Sequence, residues 1–130
     1  MQKLLNSFLK TRSPIDRWLP VFIWAAVIFT FSSLPQTSVS GFYLTDFIIK
    51  KTAHISEYAI LYALTFRASG GKLVGSYLLV MLYAISDEIH QSFVPGRTPK
   101  VYDVVGFDLT GANIAAYSLW KLKQIHKKKH

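Results

Sequence analysis

Between Trp18 and Leu34 the chain runs for seventeen residues, WLPVFIWAAVIFTFSSL, without one charged side chain. Apolar residues fall on every face of the helix this stretch predicts, and such a helix must be surrounded by apolar matter. A soluble bundle needs a charged face on each helix, and this segment has none, so it reads as a membrane span. Three further apolar segments follow at about 52–66, 73–92 and 104–120, the second and third of them with charges near one end. At ~1.5 Å per residue a helix of this length reaches ~25 Å, against a hydrocarbon core of ~30 Å. Arg17 with Trp18, Arg67 with Lys72, and Trp120 with Lys121 and Lys123 place cations and indoles at the interfaces that must cover the difference.

At 130 residues the chain makes one domain. Its 51% hydrophobic content excludes disorder, and the absence of cysteine excludes disulfides, thiolate metal sites and iron-sulfur clusters. The net charge of +8 is unevenly spread. With the N-terminus inside, eleven Lys and Arg face the cytoplasm with Asp16 as the sole acid, while four lie outside with six acids. That asymmetry is the positive-inside bias, so the charge orients the chain and contacts anionic lipid; a nucleic-acid partner is not expected. The expected fold is all-α: a membrane four-helix bundle, N-in/C-in, that crosses the membrane several times. Residues 1–17 form a basic cytoplasmic segment, 18–122 the four-helix domain and 123–130 a basic tail.

Charged side chains within a span cost roughly 2.5–3.5 kcal/mol each at mid-helix, so their placement needs a reason. In the second span Lys50, Lys51, His54, Glu57 and Tyr58 occupy an arc of ~120° on one helix face. In the third, Asp87, Glu88 and Gln91 again share a face, and Phe93-Val94-Pro95-Gly96-Arg97 ends the helix. Asp103 and Asp108 open the fourth, and Ser32, Ser33 and Pro35 close the first. All four clusters fall at the outer end, which predicts a polar pocket there. His90, at about −60° from Asp87, falls off the acidic face and outside that site. The aromatic run Phe22, Trp24, Phe29 and Phe31 reads as lipid-facing, and Lys50 and Lys100 as interfacial.

These residues resemble the VanZ-like family of small bacterial membrane proteins. The matching strings are F-S-S-L-P at 31–35, K-x-x-H-x-x-x-Y from Lys51 to Tyr58, and D-E-I-H-Q-S-F-V-P-G-R from Asp87 to Arg97. One departure concerns the fourth segment. Asp108 follows Asp103 by five residues and Gly111 follows it by eight, one more in each case than the family pattern, and position 107 is Phe. In a regular helix Asp108 then points ~140° away from Asp103. The resemblance implies a multi-pass protein of the bacterial cytoplasmic membrane, linked to lowered susceptibility to teicoplanin-type glycopeptides.

Three functions are compatible with this pattern. The first is binding of a membrane lipid or lipid-linked cell-wall precursor headgroup, with Lys51, Tyr58, Gln91, Arg97, Asp103, Asp108 and Ser33 in contact. In the second, a hydrolase or transferase acts on lipid phosphate or pyrophosphate through His54, Glu57, Asp87 and Glu88, with Arg97 clamping phosphate and Glu57 or Asp87 orienting His54. The third is a polyprenyl-lipid transporter. The cofactor is left open: a divalent cation held by Asp87, Glu88 and Asp103 would suit the hard oxygen ligands those residues supply.

Overall fold

The computed structural model describes residues 2–10, 13–35, 41–97 and 104–127. Among these, every regular element is a helix. A short helix α1 (Gln2–Leu9) precedes four long ones: α2 (Pro14–Ser32), α3 (Tyr43–Ala68), α4 (Leu73–Gln91) and α5 (Leu109–Lys127). A π-helical turn, Val104–Asp108, runs directly into α5. The basic N-terminal segment thus contains a helix that hydrophobic periodicity did not mark. The second segment, expected at 52–66, is longer, because α3 extends through the polar stripe around Lys51 to Tyr43.

Local chemistry sets these boundaries. Ser13 caps α2 by accepting from the Asp16 N–H at 3.1 Å, with Pro14 in the first turn and Asp16 at the positive end of the dipole. Farther along, Pro20 has no N–H to offer the Asp16 carbonyl. Arg67 supplies the donor from α3, its guanidinium reaching Asp16 O at 3.3 Å while its Nε donates to Phe8 O at 2.8 Å. One side chain therefore ties the end of α1 and the start of α2 to the end of α3. There α3 stops in a Schellman turn: Gly71 N–H donates to Phe66 O and Gly70 N–H to Arg67 O, with φ of +70° at Gly70 and +86° at Gly71. Lys123 of α5 covers the same turn, donating to Gly71 O at 2.7 Å.

The central helix is α3, packed against α2, α4 and α5. Its Tyr58, Leu61, Tyr62 and Phe66 form the core with Ile28 of α2, Val80 and Ala84 of α4, and Ala112 of α5. The closest approach is at Gly111. A Cβ there would overlap the carbonyl oxygen of Ile55 and come within 2.9 Å of Ala59 N, so α5 lies directly on the backbone of α3.

The exterior is apolar and the interior carries much of the polarity. Phe22 (67% exposed), Leu82 (60%) and Tyr117 (61%) represent outward faces rich in large hydrophobic side chains on every long helix. Ser32, Asp46, Thr65, Ser76, Asp87, Gln91 and Asp108 are buried. By length and composition together, α2 is the one described helix suited to crossing a membrane. Trp24 departs from its expected lipid-facing role: it is half-buried and its indole N–H donates to Glu57 O of α3 at 2.9 Å.

Two glycine substitutions should move stability in opposite directions. Gly111→Ala is expected to lower the thermal midpoint of the protein in detergent by an amount equivalent to ~1–3 kcal/mol, because backbone cannot yield to the added methyl. Gly75→Ala in α4, whose Cβ would meet nothing nearer than Lys72 at 3.9 Å, should raise it by up to ~1 kcal/mol through helix propensity.

Candidate functional site

The polar residues gather at the end of the molecule where α2 and α4 finish and α3 and α5 begin. Arg67, Gly71 and Lys123 mark the opposite end. At the centre of the cluster Asp87 of α4 is 2% exposed. Its Oδ2 accepts from Gln91 Nε2 at 2.8 Å, Ser32 Oγ at 2.9 Å and Tyr58 Oη at 3.2 Å, which joins α2, α3 and α4 on one oxygen. Gln91 also donates to Ser32 Oγ at 3.3 Å. Charge-assisted bonds of this kind are worth roughly 1.5–3 kcal/mol each when buried.

His90 belongs to the site, contrary to the helical-wheel expectation. Its Nδ1 lies 3.9 Å from Asp87 Oδ1 and its Nε2 3.3 Å from Ser33 Oγ, and its ring stacks on Phe29 at 4.0 Å between centroids. Positions three apart on a helix are neighbours, so the i, i+3 relation to Asp87 was the available signal. Phe29 accordingly packs on a site residue along part of its surface.

A second group forms around His54. Its Nδ1 is 3.3 Å from Asp108 Oδ1 and 3.9 Å from Glu57 Oε2. Asp108 is 3% exposed, turned into the molecule. The regular-helix projection from Asp103 presumes α-helical spacing, whereas residues 104–108 form a π-helical turn, and Asp103 itself lies outside the described residues. With i→i+5 bonding such a turn takes up one residue more than an α-helical turn, which re-aims the side chains beyond it. The Tyr58 ring lies nearly parallel to that of His54, 14° apart with centroids at 6.5 Å, and its hydroxyl donates to Asp87. Tyr58 thus bridges the two groups.

The cations expected at a phosphate have partners within the protein. Arg97 donates from Nε to Leu34 O and from Nη2 to Phe31 O, both at 3.3 Å, so part of its fork closes the C-terminal end of α2. Lys51 Nζ sits 4.4 Å from the Phe107 ring centroid and 5.8 Å from that of Phe47, a cation–π seat between α3 and the π-turn. Glu88 is half-buried beside Asp87 on α4. Asp46, buried at 7% in the first turn of α3, is an acid that the sequence placed only in the outer charge count. Asp103 and Lys100 lie outside the described residues, and among those described no three His, Asp or Glu converge as a metal site.

An all-helical chain with an apolar exterior and an acid–histidine cluster at one end is the class these features define. The chain belongs to the VanZ/LLP1 family, whose model matches residues 6–124. No curated protein and no solved structure matches it.

The Asp87 network sets an order of stability losses. Tyr58→Phe deletes one of three donors and should cost ~1–2 kcal/mol, whereas Asp87→Ala strands three buried donors and should cost more than ~3 kcal/mol. Thermal unfolding of both variants in the same detergent checks the order.

Proposed function

We propose that this VanZ/LLP1 protein crosses the bacterial cytoplasmic membrane several times with both termini inside, and that its acid–histidine cluster faces the outer leaflet. There it engages the headgroup of a lipid-linked cell-wall precursor. The observation that carries this reading is the inverted polarity: large apolar side chains cover the outside of every long helix, and buried ionisable groups collect at one end. A soluble monomer rarely leaves so extended an apolar surface uncovered. The eleven-to-four distribution of cations then assigns the acidic end to the exterior.

Such a headgroup is bipolar, pairing pyrophosphate with sugar hydroxyls and peptide N–H groups. Lys51 and the donors of Arg97 suit the first part. The half-buried carboxylates of Glu57 and Glu88 suit the second, because ionised carboxylates only accept hydrogen bonds. Occupying precursor headgroups would change what teicoplanin-type glycopeptides meet at the wall surface, in line with the family's link to that resistance.

A second reading, hydrolysis or transfer of a lipid phosphate, is favoured by the His54–Asp108 pair at 3.3 Å, since a carboxylate beside an imidazole is an arrangement suited to a base.

The test uses His54→Ala, Glu88→Gln and Arg97→Lys separately, each brought to the wild-type membrane level. Under the binding reading, teicoplanin susceptibility rises at least fourfold in each variant and retention of labelled polyprenyl-linked precursor falls by about tenfold, the loss expected for ~1.4 kcal/mol of contact. Full function in all three would make the cluster purely structural. Loss of lipid phosphate turnover with precursor still bound would favour the hydrolase.

A further inference from the structure

Asp108 and His54 meet because of where α5 touches α3. Gly111, three residues after Asp108, lies against the carbonyl of Ile55, the residue that follows His54. With no side chain between the two backbones and a π-helical turn leading into α5, the Asp108 carboxylate arrives within 3.3 Å of His54 Nδ1. The imidazole remains 21% exposed while the Asp108 side chain is only 4% exposed, so the pair has a closed side and an open one. Tyr58 lies parallel to the ring. Glu57 is farther from the same nitrogen, at 3.9 Å, and Asp87 gives Oδ2 to Ser32, Tyr58 and Gln91 and has Oδ1 beside His90, 3.9 Å from its Nδ1.

We infer that Asp108 is the positioning residue of His54: by accepting from Nδ1–H it fixes one tautomer and leaves Nε2 as the basic nitrogen. The sequence pattern offered Glu57 or Asp87 for this role, and the distances transfer it to the π-turn. The two groups stand at ion-pair distance, 3.3 Å, without hydrogen-bond alignment, and the buried Nδ1 has no other hydrogen-bond partner among the described residues. Catalytic hydrogen bonds are often long or poorly aligned in an unliganded site and tighten when ligand binds. The chemical use of the pair rests on the hydrolytic reading above. In hydrolysis of a phosphate ester, water forms the new P–O bond as its proton passes to Nε2. The P–O bond to the leaving group then breaks, and the leaving oxygen takes that proton. His54 returns to its neutral form and no further reactant is consumed, while Asp108 stays ionised and stabilises the transient imidazolium.

The experiment is 15N NMR of the full-length protein, labelled at histidine and reconstituted in lipid nanodiscs, with the His54 signal assigned by its loss in His54→Gln. Under conditions where the ring is neutral, the wild type should carry its proton on Nδ1. Glu57→Gln should keep that tautomer and Asp108→Ala should give a mixture of the two. With a short-chain polyprenyl phosphate as probe, Asp108→Ala should lose about 10²-fold in kcat with KM little changed, the signature of an interaction made in the transition state. A wild-type His54 protonated on Nε2 overturns the inference, whether or not any variant folds. So does a tautomer that responds to Glu57→Gln and not to Asp108→Ala. An Nδ1–H tautomer that depends on Asp108, found without turnover of the probe, upholds the positioning and defeats the hydrolytic reading alone.

Discussion

One carboxylate oxygen holds the polar end of this molecule together. Asp87 Oδ2 takes donors from α2, α3 and its own helix, all buried, and so determines how the ends of three helices meet. A charge in such a place is costly unless its lone pairs are filled. Ser32, Tyr58 and Gln91, each itself buried, fill those of Oδ2, while Oδ1 has no hydrogen-bond donor among the described residues and has the His90 ring nearby, with Nδ1 at 3.9 Å. The requirement runs both ways: the hydroxyls and the amide need an acceptor as much as the carboxylate needs donors. Tyr58 then carries the constraint onward, because its ring lies alongside His54 while its hydroxyl is held by Asp87.

The opposite end is held by cations on carbonyls. Arg67 answers the carbonyl that Pro20 leaves open and the end of α1, and Lys123 closes on the glycine turn after α3. These bonds join backbone to long flexible side chains, whereas the Asp87 end joins short side chains to each other. The first arrangement tolerates adjustment and the second specifies geometry. That contrast suits a molecule whose chemistry is concentrated at one end.

Much of the site was legible in the sequence because helical spacing governs it. Lys51, His54, Glu57 and Tyr58 share a face of α3, and Asp87 and Gln91 share one on α4, as residues three or four apart must. The family was legible from the same strings, and the matched model covers them. The angle of His90 from the acidic arc hides its i, i+3 relation to Asp87, which the fold brings into play. Trp24 was misread because an indole has an apolar body and a polar tip, and composition registers only the body. Arg97 also donates to carbonyls at the end of α2, a need that nothing in the linear pattern announces.

Periodicity and composition by themselves determined that this chain is helical, apolar on its outward faces, and ionisable at one end. Those properties arise from local spacing, which any single helix expresses alone. Tertiary structure decided which carboxylate serves which histidine. Asp108 reaches His54 only because the π-turn alters the register before α5 and because Gly111 lets two backbones touch. Both are consequences of packing between segments about fifty residues apart in the chain, and no periodicity within either segment encodes them.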